Sequence, residues 1–287
     1  MIKKLSLAAT TILIIGLASS WYVAGRFVAP APRSIIQPTI DLQLKDIEIR
    51  SESGSILAGW HVQANKTKGV IVLLHGIRSS RMQMIDRAKL LYDQGYSSIL
   101  IDFQAHGESP GEYITIGHLE KFDVKATIDF ARSKHPNEPI AVIGVSLGGA
   151  SAVLAAPLGI DALILESVYT NISTAVHNRV AMRLGPFSWL PAELLLAQLK
   201  PRFGFSVGEL SPINMIKYIS CPVYIIAGEV DLHTTKEETR RLFNLANSPK
   251  KLWLVENFAH VDIYNASPEA YKKNIIMFLS EHLKKES

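Results

Sequence analysis

Short apolar runs alternate with amphipathic stretches along the chain from residue 47 onward. Runs such as VIVLL and IAVIGV are apolar at every position, which is typical of strands buried on both faces. Strands that alternate with helical patterns predict a mostly parallel sheet flanked by helices. The predicted strands are Ile47–Arg50, Leu57–Val62, Val70–Leu74, Ser98–Asp102, Ile140–Val145, Ala162–Glu166, Val223–Ala227 and Lys251–Val255. The predicted helices are Met82–Gln94, Gly117–Lys134, Leu147–Ala156, Thr235–Ala246 and Pro268–Leu283.

The connection between the strands at 162–166 and 223–227 is too long for a simple crossover. It contains its own helical stretch at Pro191–Leu199, so we interpret residues 169–219 as an inserted helical cap. The cap is rich in large apolar side chains, which favours acyl or otherwise apolar substrates. Its basic and aromatic residues make it a candidate for contact with anionic lipid headgroups, although packing with scattered surface charge explains the same residues. Its five basic residues outnumber its two acidic ones, and they are Arg179, Arg183, Lys200, Arg202 and Lys217 against Glu193 and Glu209.

The amino-terminal segment has a different pattern. No charge interrupts the chain between Lys4 and Arg26, and the 24 residues from Leu5 to Val28 would form a helix about 36 Å long. We predict a transmembrane signal anchor at 1–29, a Pro-rich linker at 30–44 and a catalytic domain at 45–287. Lys3 and Lys4 favour a cytosolic amino terminus and an extracytoplasmic domain. The alternatives are a cleaved signal peptide, which would make the protein secreted, and a buried structural helix.

Charge and cysteine content exclude several classes of protein. The chain carries 30 Lys and Arg against 26 Asp and Glu, a net charge of +4. The first 33 residues hold four basic residues and no acid, so the rest of the chain is neutral, and no basic patch predicts nucleic-acid binding. The single cysteine, Cys221, excludes an internal disulfide and a cysteine-based zinc site. We predict neither a metal nor an organic cofactor.

A serine follows the IAVIGV strand in the pattern Gly144-Val-Ser146-Leu-Gly148 and leads directly into a predicted helix. Small glycines on both sides permit a sharp turn that exposes a serine hydroxyl at the carboxyl end of the sheet. A glycine-rich turn with an incidental serine is the simpler alternative. In this setting, the pattern favours Ser146 as a nucleophile.

A serine nucleophile needs a base, and the base needs an orienting acid. Asp231 follows the VYIIA strand and His260 follows the KLWLV strand, so both lie at the same edge of the predicted sheet as Ser146. We therefore predict Ser146, Asp231 and His260 as the catalytic residues. Glu229 is the alternative acid and His233 the alternative base.

Acyl transfer also needs at least two hydrogen-bond donors for the developing oxyanion. The turn around Ser146 supplies the backbone N–H of Leu147. The loop after the VIVLL strand begins with His75-Gly76, and Gly76 permits a turn that directs the N–H of Ile77 inward. We expect His75 to brace this loop rather than to react.

Taken together, Gly144-Val-Ser146-Leu-Gly148, His75-Gly76 and Asp102-Phe-Gln-Ala-His-Gly-Glu-Ser109 resemble the α/β-hydrolase family. The resemblance covers about residues 45–285, is strongest to the serine aminopeptidase-like and monoglyceride-lipase-like branch, and includes membrane-anchored members. It implies an α/β-hydrolase fold with an eight-stranded, mostly parallel sheet, a Ser146–Asp231–His260 triad and an oxyanion hole at Ile77 and Leu147. Gln104-Ala105 departs from the Arg-Gly of many members.

We therefore predict a membrane-anchored serine hydrolase that cleaves a carboxylic ester of a small acyl or lipid-like substrate. A peptidase, amidase or thioesterase with the same triad is the alternative enzyme. A catalytically silent, membrane-tethered binding module is the alternative outside enzymes.

Overall fold

The computed structural model describes residues 2–284, and within them the side chains of all residues except 2–9, 12 and 13. Met1 and residues 285–287, the outer ends of the predicted anchor and catalytic domain, lie outside the described residues. The strands are β1 (Ala31–Pro32), β2 (Lys45–Arg50), β3 (Ile56–Val62), β4 (Val70–Leu74), β5 (Ser97–Ile101), β6 (His106–Gly107), β7 (Ile140–Val145), β8 (Ala162–Glu166), β9 (Val223–Gly228) and β10 (Lys250–Val255). The helices are α1 (Ile2–Val28), α2 (Ile85–Asp93), α3 (Glu120–Lys134), α4 (Leu147–Leu154), α5 (Ile172–Leu184), α6 (Trp189–Leu196), α7 (Leu199–Phe203), α8 (Pro212–Met215), α9 (Lys236–Leu245), α10 (Ile263–Ala266) and α11 (Pro268–His282).

Eight of these strands form one sheet in the order β10-β9-β8-β7-β4-β5-β3-β2. Only β3 runs antiparallel to its neighbours, β2 and β5. The prediction of an eight-stranded, mostly parallel sheet is therefore confirmed. β1 and β6 form a separate, short parallel pair.

The sheet is buried on both faces because consecutive residues of a strand point to opposite sides. In β4, Val70, Val72 and Leu74 face one hydrophobic cluster together with residues of α3, α4 and α9. Ile71 and Leu73 face a second cluster together with residues of α2 and α11. Both sets are apolar, which explains why the strands read as continuous hydrophobic runs in the sequence.

The strand order places a crevice next to β4. β5 lies on one side of β4, whereas the chain continues through β7, β8, β9 and β10 on the other. Loops that leave neighbouring strands in opposite directions open a crevice at the carboxyl ends of those strands. The loops after β4 and β7 therefore meet where a ligand site is expected.

The long connection between β8 and β9 contains α5, α6, α7 and α8. The sequence predicted only the middle of this region as helical, and α5 was missed. α5 begins at a favourable capping residue, since the Asn171 side chain accepts a hydrogen bond from the N–H of Thr174 at 2.8 Å. A hydrogen bond of 2.9 Å between His177 Nε2 and Glu193 Oε1 joins α5 to α6.

The predicted transmembrane anchor is wrong. Within residues 2–284, no helix combines the length and the hydropathy that crossing a membrane requires. α1 spans 27 residues. Its carboxyl end packs on the protein, where Ala24 and Val28 are buried. The predicted membrane localisation, with the catalytic domain on the outer face, depended on this anchor and is therefore wrong as well. Membrane attachment through this helix is not supported.

The segment predicted as a Pro-rich linker lies against the domain. β1 pairs in register with β6, with Ala31 opposite His106 and Pro32 opposite Gly107. Further along, apolar side chains of the segment pack against the second hydrophobic cluster, and they are Ile35, Ile40, Leu42 and Leu44.

Candidate active site

The three predicted catalytic residues follow three strands of the sheet at the same edge. Ser146 separates β7 from α4, Asp231 lies three residues after β9, and His260 lies five residues after β10. Parallel strands bring their carboxyl ends to one edge, so residues far apart in sequence meet there.

Asp231 and His260 are in direct contact. The His260 Nδ1 atom lies 2.7 Å from Asp231 Oδ2, and since a carboxylate only accepts, the imidazole donates this hydrogen bond. The second oxygen, Asp231 Oδ1, accepts hydrogen bonds from the backbone N–H groups of His233 at 2.7 Å and Thr234 at 3.0 Å. The buried carboxylate is therefore held on both oxygens and directs the Nε2 edge of His260 away from itself.

The alternative acid and base occupy different positions. Glu229 is half-exposed and its carboxylate lies 3.5 Å from the Lys236 ammonium. The His233 ring stacks on the His260 ring with 4.9 Å between centroids, but it does not bond the Asp231 carboxylate through its side chain. Burial lowers the pKa of His233, and the nearby positive charge of Arg179 lowers it further.

The backbone at Ser146 is strained. Its φ of 49° and ψ of −108° lie outside the regions that L-residues favour, and such strain is typical of the turn that carries a nucleophile. The Ser146 N–H donates to the Glu166 carbonyl at 2.7 Å, and the Ser146 carbonyl accepts from the Ala150 N–H at 2.9 Å, so both sides of the turn are fixed. Within the described residues the Ser146 hydroxyl makes no hydrogen bond, including none to His260. Such contacts often tighten only when substrate is bound.

Close backbone contacts explain the glycines around Ser146. A Cβ atom at Gly148 would collide with the carbonyl oxygen of Leu74, and one at Gly144 would lie 2.5 Å from the Gly149 nitrogen. Any side chain here would push α4 away from β4 and β7. The glycines therefore let the helix start close to the ends of both strands.

The loop after β4 is braced by His75. This histidine is fully buried, and its Nδ1 lies 2.7 Å from the carbonyl oxygen of Gly76 while its Nε2 accepts from the Phe103 N–H at 3.1 Å. Burial and the neighbouring His106 lower the pKa of His75 to about 3. The ring is therefore neutral in ordinary buffers, and both of its nitrogen atoms are occupied. The Gly76 N–H in turn donates to Gln83 Oε1 at 2.8 Å.

The two predicted oxyanion donors lie beside Ser146. A Cβ atom built on Gly76 would lie 3.8 Å from the Ser146 Cβ, so the loop that carries Ile77 adjoins the nucleophile. Leu147 is the first residue of α4, where backbone N–H groups have no partner within the helix. Within residues 2–284 the Ile77 N–H likewise donates to no other group. Neither amide therefore has a hydrogen-bond partner within residues 2–284.

A buried ion cluster that the sequence reasoning missed anchors the loop of His260. The Arg87 guanidinium of α2 donates to both carboxylate oxygens of Asp262, at 3.0 and 2.9 Å, two residues after His260. The same guanidinium donates to Glu166 Oε2 at 2.7 Å and to the Tyr271 hydroxyl at 3.1 Å. A charged residue at the end of a buried strand, as in Ala162–Glu166, was the signal that could have revealed this cluster.

A second buried network holds the loop after β5. Asp102 accepts from the Arg81 guanidinium, from the Arg81 N–H at 2.6 Å and from the Glu108 N–H at 2.9 Å, and Arg81 also pairs with Glu108. Gln104 lies in the same loop. Its amide donates to Glu120 Oε1 at 2.7 Å and to the Tyr113 carbonyl at 2.8 Å, so it joins this loop to α3.

Asp123 of α3 gives this region a measurable pH dependence. Burial raises the pKa of its carboxyl to about 7, against hydrogen bonds from Ser51 Oγ at 2.6 Å and the Gln104 N–H at 2.9 Å. Because this pKa exceeds the ordinary 3.8, the folded chain binds the proton more tightly than the unfolded chain does. The resulting stabilisation is complete below pH 4 and is lost as the pH rises through about 7.

We expect Asp123→Asn to become more stable relative to the wild type as the pH rises from 5 to 8. Asparagine is neutral, resembles the protonated acid in shape and keeps one acceptor and one donor. The gain should approach about 1.4 kcal/mol per pH unit, or several degrees in Tm. Thermal unfolding at a series of pH values measures it. A stability difference that stays constant with pH would contradict a raised pKa at Asp123.

No group of three or more His, Cys, Asp or Glu side chains that could hold a metal ion lies within the described part of the chain.

Comparison with known proteins agrees with this architecture. The model of the family described as serine aminopeptidase, S33, matches residues 65–208, which include Ser146 and the loop of Ile77 but end before Asp231 and His260. The uncharacterized protein YqkD of Bacillus subtilis is 27% identical over 236 residues, which cover 80% of this chain and 77% of YqkD.

Solved structures give the same result. Esterase Pf2001 of Pyrococcus furiosus aligns with a TM-score of 0.72 at 25% identity, covering 88% of this chain and 99% of that one. An acetyl xylan esterase from Paenibacillus sp. R4 aligns with a TM-score of 0.66 at 16% identity over 93% of each chain, which shows the fold alone. Because the family match spans just over half of the 287 residues, the protein belongs to the serine aminopeptidase S33 family and is a hydrolase with the α/β-hydrolase fold.

Proposed function

We propose that the protein is a serine hydrolase that cleaves a carboxylic ester through a covalent acyl-enzyme. The observation that carries this proposal is the 2.7 Å hydrogen bond between His260 Nδ1 and the buried Asp231, at the sheet edge that also holds the strained turn of Ser146. A base fixed in one tautomer at the same sheet edge as the serine turn is the arrangement that activates a serine hydroxyl.

In the first half of the proposed reaction, Ser146 Oγ attacks the ester carbonyl carbon while His260 Nε2 takes the hydroxyl proton. The carbonyl π electrons move to the oxygen, and the N–H groups of Ile77 and Leu147 stabilise the resulting oxyanion. As the carbonyl re-forms, the bond to the alcohol oxygen breaks, and His260 returns the proton to that oxygen. The alcohol leaves and the acyl group remains on Ser146.

In the second half, water attacks the acyl carbon and gives a proton to His260 Nε2. The bond from the acyl carbon to Ser146 Oγ then breaks, and His260 protonates the serine oxygen. A carboxylic acid leaves and the free enzyme is restored. The Asp231 carboxylate stabilises the imidazolium that forms twice in each cycle.

Charge around the site favours an ester over the free amino terminus of a peptide. Arg179 of the cap is largely buried, and its positive charge lies close enough to Asp231 to interact with it electrostatically. The cap as a whole has three more basic than acidic residues. The positive charge of Arg179 near Asp231 repels the ammonium group that an aminopeptidase must bind. The resemblance to esterase Pf2001 supports the same choice.

We expect kcat/KM for p-nitrophenyl acyl esters to exceed that for aminoacyl p-nitroanilides by at least about 100-fold. Release of p-nitrophenol and of p-nitroaniline measures the two reactions, with Ser146→Ala protein as the background control. A series of esters and thioesters of graded acyl length then identifies the preferred acyl group. Faster cleavage of the aminoacyl anilide would overturn the ester assignment in favour of an aminopeptidase.

A further inference from the structure

Residues 26–35, which we call the clasp, are bonded to the loop that follows β5. The Ala31 N–H donates to the Ala105 carbonyl and the Arg33 N–H donates to the Gly107 carbonyl, both at 2.8 Å. The Ile35 N–H donates to Glu108 Oε1 at 3.1 Å. Donors at every second residue are the pattern of a paired strand, so the clasp is a fixed part of the domain.

The clasp also holds the loop that carries Ile77. The Arg78 guanidinium donates to the carbonyl oxygen of Ala29 at 3.0 Å and to that of Arg26 at 3.4 Å, at the carboxyl end of α1. A cation is favourable there because the last carbonyl groups of a helix lack partners and carry partial negative charge. In return, Arg33 Nη2 donates to the Arg78 carbonyl at 2.9 Å. Arg78 has a φ of +57°, so these bonds hold a conformation that arginine rarely adopts.

The second proposed oxyanion residue touches the clasp as well. Leu147 packs in a small buried cluster with Ala31 of the clasp, and with Ala105 and Ile114. The Ile114 N–H donates to the carbonyl oxygen of Val28 at 2.8 Å. The clasp therefore contacts both sides of the proposed oxyanion hole, one through hydrogen bonds and the other through packing.

Helix α1, whose last residues begin the clasp, is attached to the cap. Gln198 Nε2 donates to Ser20 Oγ at 2.8 Å, and the Arg202 guanidinium stacks on the Trp21 ring at 3.7 Å from its centroid. Arg202 also donates to the Trp21 carbonyl. α1 and the clasp thus form one continuous element that is fixed to the cap at one end and to the loop of Ile77 at the other.

We propose that the clasp positions the oxyanion hole, with Arg78 and Arg33 as positioning residues. This inference rests on the proposed function, because it assigns a task to the amides of Ile77 and Leu147. Oxyanion donors act only when they are aimed at the place where negative charge develops, and a shift of about 1 Å costs up to about 100-fold in rate. Arg78 is the residue next to Ile77, so loss of its hydrogen bonds should displace the Ile77 N–H.

The test compares Arg78→Met and Arg33→Met with Arg132→Met in the full chain. Arg132 is a matched control, since it also donates to a backbone carbonyl, that of Gly159 at 2.6 Å, but it lies on α3 away from the clasp. We expect Arg78→Met to lower kcat by about 10- to 100-fold with KM changed less than about threefold, and Arg33→Met to act in the same direction. Arg132→Met should match the wild type.

A trifluoromethyl ketone inhibitor separates positioning from general damage to the fold. It adds to a serine to form an oxyanion, so its affinity should fall by the same factor as kcat in the two clasp variants. If Arg78→Met does not fold, Arg33→Met and Arg78→Lys carry the same test. Wild-type kcat and inhibitor affinity in the clasp variants would overturn the inference. The absence of Ser146-dependent turnover in the wild type would instead overturn the proposed function.

Discussion

Replacing Ser146 with alanine is expected to lower kcat for ester cleavage by about 10⁴- to 10⁶-fold and to abolish labelling by a fluorophosphonate probe. The expectation follows from covalent catalysis, because without Oγ no acyl-enzyme forms and only binding and oxyanion stabilisation remain. Gel fluorescence of the probe-treated protein and ester turnover at substrate saturation measure the two effects.

Ser167→Ala is the matched control for this experiment. Ser167 also follows a central strand, has a φ of 51°, and has a buried hydroxyl without a hydrogen-bond partner among the described residues. It does not precede a helix as Ser146 does, and we expect its variant to label and to turn over as the wild type does. Labelling that persists in Ser146→Ala would place the reactive group elsewhere.

His260→Ala is expected to lower kcat by about 10³- to 10⁵-fold, whereas His233→Ala should retain activity within about fivefold. Both rings lie next to Asp231, but only His260 bonds its carboxylate oxygen through a ring nitrogen, at 2.7 Å. Only that ring is fixed in the tautomer that leaves Nε2 able to accept the serine proton. Steady-state ester hydrolysis with thermal unfolding as a folding control compares the two variants.

If His260 is not the base, the two histidine variants should show the opposite activities. A large loss in His233→Ala with an active His260→Ala would make His233 the base. Asp231→Asn adds a further check, because it keeps the shape of the acid but removes the charge that stabilises the imidazolium. It should lower kcat by about 10⁴-fold, and Glu229→Gln should change it little.

The sequence predicted the sheet because each central strand is buried on both faces. Val70–Leu74 and Ile140–Val145 contain no polar residue, and such short apolar runs are typical of strands in the centre of a parallel sheet. The position of Ser146 followed from the same runs, since a Gly-x-Ser-x-Gly turn between a strand and a helix has few other uses. The pairing of Asp231 with His260 followed from their places after successive strands.

The sequence did not predict which distant parts of the chain the amino-terminal region contacts. The apolar run in α1 did not indicate where the helix lies, and in the structure its carboxyl end contacts the cap while large apolar side chains such as Ile14 and Leu17 stay exposed. Ser20 contacts Gln198 and Trp21 contacts Arg202, which lie 178 and 181 residues away in the chain, and no local pattern encodes such contacts. The clasp was not predicted for a related reason, because the sequence Ala-Pro-Ala-Pro is compatible with both a free linker and a paired edge strand.

The buried guanidinium of Arg87 has a consequence for the conditions under which the site keeps its shape. Burial alone would lower the pKa of this group, but attraction to Glu166 raises it well above its usual value. The guanidinium therefore stays charged at any alkalinity that the rest of the protein survives. Because water and dissolved ions hardly reach it, added salt screens it far less than it screens surface pairs. The ion pair between Arg87 and Asp262 should therefore hold the segment that carries His260 at high pH and at high salt concentration.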